Sequence, residues 1–284
     1  MMEAGHEQML PLGTVDTHFH LFGPPSLYPY TAGRGYTPDD AGLDAYVAMA
    51  GSLGISRAVI VQPSPYGTDN HRLLDGLAAS PIPMRGVVAI ESDISDNSLD
   101  EMHKAGVRGI RINLVFDAAA AVRTAEDLAP RLKDLGWHVQ FLVDVSTWHD
   151  LAKTVDLLNV PVVFDHMGHV PTWRGTANPG FQAMLALVRE GRAWVKTSGA
   201  YRMVEKDTDA PYDQVRPFFD AVLEANPDRV LWATDWPHSA IQVEMPSDLT
   251  MAETAMRWLG SDENLRQRLF VQNAVHLYGF SSDG

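Results

Sequence analysis

VDTHFH (15–20), VVFDHMG (162–168) and VLWATDWPH (230–238) decide how this chain is read. Each is an apolar, strand-like run that ends on imidazole or carboxylate: His18 and His20, His166, and Asp235. A parallel barrel carries the C-terminal ends of all its strands to one mouth, where active sites form. A single histidine says little, but this repeated layout points to an enzyme.

Outward from these three, short runs rich in Val and Ile recur along the whole sequence: TVDTHF (14–19), AVIVQP (58–63), RGVVAI (85–90) and GIRINL (109–114). HVQFLV (138–143), VVFDHM (162–167), WVKTSG (194–199) and VLWATD (230–235) complete a set of eight. Their length and β-branched content are those of strands buried on both faces. Amphipathic segments lie between them, and several end on a glycine (Gly54, Gly106, Gly136, Gly191), the residue that best takes a left-handed cap. Eight strand–helix alternations predict an α/β fold, a single (β/α)8 barrel across residues 1–284. A doubly wound sheet usually stops at five or six strands. Residues 1–12 read as a flexible N-terminal segment.

Composition narrows the function. A 45% hydrophobic share over 284 residues supports a sizeable core. Without cysteine there is no disulfide, thiolate metal site or thiol nucleophile. With 36 acidic against 22 basic residues, the net charge of −14 argues against general affinity for nucleic acid or an anionic membrane. The N-terminus lacks the pattern of a signal peptide, and no apolar run approaches the roughly 20 residues that span a bilayer. A soluble, cytoplasmic protein is expected, as a monomer or small homo-oligomer.

His18 and His20 stand two apart in a strand, so they share a face and offer two ligands to one metal, or form a structural hydrogen-bonded pair. Asp235 in its apolar setting needs a histidine, arginine or metal partner. Either it activates water as a general base or it caps the following turn. His238 lies at the rim or in a rigid Trp-Pro-His corner. No G-x-G-x-x-G follows a strand, so no phosphate cradle is read.

Together with GYTP (35–38), VQPSPYGTDN (61–70), RGIRIN (108–113) and GWHV (136–139), these motifs resemble the amidohydrolase superfamily. Within it they are similar to the branch of 2-pyrone-4,6-dicarboxylate lactonase and related lactone hydrolases. The resemblance covers about residues 12–280. It implies a (β/α)8 hydrolase that opens a small anionic lactone, of the kind met in aromatic or sugar-acid breakdown. It makes Asp235 the base that deprotonates water, and turns His18, His20 and His166 toward the lactone carbonyl or a metal. Arg111, Ser64, Tyr36 and Arg202 then hold the substrate, and the planar arginine fork suits a carboxylate or sulfonate. Tyr66, His169 and His238 join the expected substrate contacts.

The chain departs from the family pattern in two ways. Dinuclear members carry a bridging lysine or glutamate on strand four and a histidine on strand five. Here those strands are GIRINL and HVQFLV, and His138 stands at the wrong end. The implied cofactor is therefore none, or one zinc held by His18, His20, His166 and Asp235. Without metal, imidazolium and arginine would polarise the carbonyl. Second, Asp117 and His169 occupy positions where the dicarboxylate lactonase has arginines. A substrate with one strong anionic group is expected, since a second would be buried unpaired. The alternatives are a zinc-dependent decarboxylase of an aromatic or unsaturated acid, a lactone isomerase, and a non-catalytic binding barrel.

Overall fold

The computed structural model describes residues 9–114, 118–205, 210–241 and 243–281, with the side chains of 118–120 excluded. Eight strands form one parallel sheet in sequence order: β1 (Val15–Phe19), β2 (Arg57–Val61), β3 (Met84–Val88), β4 (Val107–Asn113), β5 (His138–Leu142), β6 (Val162–Phe164), β7 (Ala193–Lys196) and β8 (Val230–Leu231). Backbone bonds between the first and last strand regions close it: Thr17 N to Trp232 O, Asp235 N to His18 O and His20 N to Trp236 O. The expected (β/α)8 barrel is the observed fold. RGVVAI and GIRINL are separate neighbours, paired Val87 to Gly109 and Val88 to Ile110.

The helices between strands are α1 (Leu43–Leu53), α2 (His71–Ala79), α3 (Asp96–Ala105), α4 (Ala118–Leu135), α5 (Leu151–Leu158), α6 (Pro179–Arg189) and α7 (Arg216–Ala225). After β8 come α8 (Asp248–Leu259), α9 (Glu263–Gln267), a π-helical turn (Arg268–Gln272) and α10 (Asn273–Tyr278). Gly54 and Gly106 end α1 and α3 at φ 80° and 106°, where a side chain would strain the backbone.

Two apolar layers divide the strand residues. Outward side chains such as Phe19, Ile60, Ile110, Phe141 and Phe164 pack with the helices. Val15, Val59, Val61, Val87, Val163 and Leu231 meet Tyr278 and Phe280 from the chain's end, which plug the far side of the barrel. Leu10 is buried in the helix-side core, while residues 1–8 of the N-terminal segment lie outside the described residues.

The sequence Gly109 in RGIRIN has a packing reason. A β-carbon there would lie 2.5 Å from the ring of buried His138 on the adjacent strand. Overpacking of this kind typically costs about 1–3 kcal/mol. Gly109→Ala is expected to lower the thermal midpoint by several degrees, as read by circular dichroism.

Candidate active site

The mouth at the C-terminal strand ends gathers the residues that the sequence singled out. In β1 a register shift between Asp16 and Phe19 lets His18 face inward. His20 follows on the same side, and the two Nε2 atoms lie 3.2 Å apart. The Asp235 carboxylate lies 3.8 Å from His18 Nε2, 3.7 Å from His20 Nε2 and 3.9 Å from His166 Nε2. All four side chains are buried. Three imidazoles and one acid from strand regions 1, 6 and 8 therefore share one pocket.

The backbone is bent to make this possible. His166 (φ 51°), Met167 (φ 52°), His169 (φ 55°), Asp235 (φ 63°), His238 (φ 59°) and Ala240 (φ 57°) are all left-handed without being glycine. Such residues cost of order 1–3 kcal/mol each and gather at functional sites, where surrounding contacts hold them.

The two oxygens of Asp235 have different surroundings. Oδ2 accepts from Tyr201 Oη at 2.5 Å and from Arg202 Nε at 2.7 Å. Oδ1 makes no hydrogen bond among the described residues, although it is buried. Burial alone would raise this carboxyl. The Arg202 guanidinium, followed by His166, His18 and His20, outweighs it and holds Asp235 well below the usual carboxylate range. The ionised form of Asp235 is thus favoured, with one oxygen fixed by two hydrogen bonds and the other making none among the described residues.

Below this layer lies a second polar layer that the sequence reading missed. Asp165 Oδ1 sits 3.2 Å from His18 Nδ1, and Asp165 Oδ2 accepts from Gln140 Nε2 at 3.1 Å. Lys196 Nζ donates to Thr17 O at 2.8 Å and Gln140 Oε1 at 2.7 Å, and lies 3.4 Å from His18 Nδ1. Burial lowers the Lys196 ammonium to about 8, against the pull of Asp165. Asp165 itself is held below the carboxylate range: His18 and Lys196 overcome the effect of its burial. His166 Nδ1 meets Ser198 Oγ at 2.9 Å, and His20 Nδ1 donates to Val61 O at 2.8 Å. Each imidazole is thus held by its Nδ1 side with Nε2 turned to the pocket, as outer contacts usually orient metal-binding or catalytic histidines.

A cavity of about 210 Å³ opens above these groups, lined by His20, His166, Asp235 and five predicted contacts, Tyr36, Ser64, Arg111, His169 and Arg202. Arg111 Nη1 donates to Gln62 O at 3.0 Å, while its buried Nε has no hydrogen-bond partner among the described residues. Ser64 Oγ accepts from Asn113 Nδ2 at 2.9 Å, and Tyr36 Oη pairs with Ser239 Oγ at 3.2 Å. Asn113 and Ser239 also line the cavity and were not singled out from sequence.

Three of the expected substrate contacts have protein partners of their own. Arg202 is engaged before any substrate arrives, by Asp235 and by Ser239 O at 3.0 Å. Tyr66 stands behind the pocket: its hydroxyl accepts Gly23 N–H at 2.8 Å and its ring packs on Phe22 and Tyr30. His238 also sits behind, between Tyr201 Oη at 3.0 Å and Asp248 Oδ1 at 2.9 Å. Asp117 lies outside the described residues.

The donor set fits one divalent ion. His18, His166 and Asp235 each present a ligand atom within 4.8 Å of the others, and Asp235 Oδ1, without a hydrogen bond among the described residues, keeps a lone pair for an ion. Nitrogen with carboxylate oxygen is a donor set of the zinc type. The ends of β4 and β5 bring Arg111, Asn113 and Leu142 to the pocket, which are not ligands for a second ion. Desolvation lowers His18, and holds His20 and His166 well below their ordinary values, so the rings are neutral near pH 7. Neutral imidazole is the form that ligates a metal.

Burial of neutral histidine also sets the acid stability. His138, 1% exposed, is lowered to about 3 by desolvation and by Lys196. Below about pH 6.5 the unfolded chain protonates this ring and the folded chain does not, so stability falls as pH drops from there toward 3. One such group contributes up to about 1.4 kcal/mol per pH unit. Asp16, raised to about 6 by burial, acts in the opposite sense between its ordinary value and about 6. The buried histidines outnumber it. The urea midpoint is expected to be lower at pH 4.5 than at pH 7, with a shallower decline in His138→Leu.

Among the described residues no helix is long and apolar enough to cross a membrane. The amidohydrolase family model matches residues 15–280. A 2-pyrone-4,6-dicarboxylate hydrolase of Comamonas testosteroni is 35% identical over 278 residues, covering 95% of this chain and 91% of the relative. A 4-sulfomuconolactone hydrolase of Hydrogenophaga intermedia is 34% identical over 281 residues, covering 97% and 92%. An Agrobacterium tumefaciens crystal structure in its apo form superposes with a TM-score of 0.84 at 28% identity, covering 96% of this chain and 97% of that one. By motif order, barrel architecture and near full-length similarity, this chain belongs to the amidohydrolase family.

Proposed function

We propose that this chain is a hydrolase that opens a small lactone bearing one strong anionic group. The observation that carries the reading is the buried Asp235 carboxylate, with Oδ2 fixed by Tyr201 and Arg202, Oδ1 without a hydrogen bond among the described residues, and the Nε2 atoms of His18, His20 and His166 within 3.9 Å of its oxygens. The relatives, named as hydrolases of a pyrone dicarboxylate and of a sulfomuconolactone, support lactone opening, while the restriction to one anionic group is drawn from this pocket alone.

In this scheme the substrate's acid group pairs with Arg111, whose Nε makes no hydrogen bond among the described residues and lies 3.8 Å from Asp165 Oδ2, and with Ser64 and Tyr36. The lactone carbonyl then lies over the imidazoles. Water, placed at Asp235 Oδ1, attacks the carbonyl carbon and gives its proton to the carboxylate. A new carbon–oxygen bond forms from water, and the ring carbon–oxygen bond breaks. Because Asp235 binds a proton weakly, it readily passes that proton to the departing ring oxygen. The product is an open-chain acid. A zinc ion held by His18, His166 and Asp235, with His20 beside them, would supply Lewis-acid polarisation of the carbonyl.

The reading of one strong anion, not two, is supported by the charges lining the pocket. Arg202 is committed to Asp235, and His169 is lowered to about 4 by burial, hence neutral. Arg111, held less closely by Asp165 at 3.8 Å, is then the pocket's cation least committed to a carboxylate among the described residues. Purified protein is expected to open muconolactone-type substrates with release of one acid equivalent, followed by pH indicator. Carbon dioxide release from aromatic or unsaturated acids without ring opening would instead mean a decarboxylase.

A further inference from the structure

A second cavity, of about 460 Å³, adjoins the reaction pocket over the ends of β2, β3 and β4. The two share Gly35, Ser64, Arg111 and Asn113, so Arg111 stands at their junction. The reaction pocket, about 210 Å³, is small beside the roughly 300–1,000 Å³ of ordinary ligand sites. The adjoining space more than doubles the room available to a ligand anchored on Arg111.

Its walls differ from those around Asp235. Pro63, Ile90, Ile112 and Ala121 give it an apolar surface, with threonine hydroxyls between them. Among the described residues, its charged lining residues besides Arg111 are Glu91 and Arg34. Both are exposed, are opposite in sign and are screened by solvent. Arg34 is already turned to Thr37 Oγ1 and Thr31 O, at 2.8 and 3.1 Å. A second carboxylate placed here would meet Glu91 beside the exposed Arg34, and no buried cation other than Arg111 among the described residues. An alkyl or aryl group would meet a matching surface.

We propose that this cavity is a second substrate subsite, which receives an uncharged, largely apolar extension of the substrate whose acid group sits on Arg111. The inference rests on the lactone reading for the nature of the substrate. It narrows the substrate class to a monoacidic lactone with an alkyl or aryl arm, and makes the β2–β4 side of the mouth the specificity-determining side.

Unreactive ring acids test the subsite by binding alone, so failure of lactone turnover and failure of the subsite remain separate results. Benzoate, 4-butylbenzoate and terephthalate are titrated into the full chain by calorimetry. 4-Butylbenzoate is expected to bind at least about tenfold more tightly than benzoate, because each buried methylene strengthens association roughly fourfold. Terephthalate should show no such gain. Ala121→Phe, which fills the cavity, should erase the butyl advantage, with retained benzoate affinity reporting an intact fold. Glu91→Arg should shift the preference toward terephthalate. Equal affinity for benzoate and 4-butylbenzoate, a wild-type preference for terephthalate, or a butyl advantage that survives Ala121→Phe would overturn the proposal. So would failure of all three acids to bind.

Discussion

Asp235→Asn is expected to lower kcat for lactone opening by about 10³–10⁴-fold, the upper part of the range for loss of a positioned general base. Asparagine keeps the shape of the side chain, and its carbonyl oxygen can still accept from Tyr201 and Arg202. What it loses is the negative charge and the capacity to take a proton at the other branch. Some stability is lost too, because Arg202 is left with a neutral partner in a buried setting. The folded barrel should persist by circular dichroism, so that the activity loss is chemical. A variant with near-normal turnover would remove Asp235 from the mechanism.

Arg111→Ala should act mainly on KM, raising it about 10–100-fold with a much smaller change in kcat. Arg111 is 9% exposed, donates through Nη1 to Gln62 O, and its Nε makes no hydrogen bond among the described residues, lying 3.8 Å from Asp165 Oδ2. A charge-assisted hydrogen bond to a substrate acid there is worth roughly 1.5–3 kcal/mol, which gives that range. Arg111→Lys should restore little, since an ammonium cannot present the planar fork. Steady-state kinetics on a monoacidic lactone checks both. A fall in kcat with unchanged KM would place Arg111 at the reacting bond instead of at the acid group.

The barrel was legible because its strands announce themselves as separate Val- and Ile-rich runs, and because helices between them end on glycines such as Gly54 and Gly106. His18 and His20 were legible through their two-residue spacing in a strand, and His166 and Asp235 through their positions at apolar run ends. Asp165 was not. Strand alternation puts it and His166 on opposite faces, and only the left-handed backbone at His166 (φ 51°) brings both to the site.

Lys196 carried a signal that could have been read. A lysine inside WVKT, a run that reads as buried, must find partners, and it finds Thr17 O, Gln140 and the edge of His18. The division of labour between Arg111 and Arg202 had no local signal. It depends on which arginine reaches Asp235, and that is set by the β7 and β8 loops meeting in space. The same holds for Tyr66 and His238, whose polar atoms are satisfied by Gly23, Tyr201 and Asp248 behind the pocket. Sequence reading located the polar groups; their partners came only with the fold.

The central claim is that water, activated at Asp235, attacks a lactone carbonyl. Single turnover of a muconolactone-type substrate in ¹⁸O-labelled water, read by mass spectrometry, tests it most directly. The account predicts an open-chain product with one labelled oxygen, located in the newly formed carboxylate. Recovery of an unlabelled, isomerised lactone, or label in the released hydroxyl or keto oxygen, would contradict it.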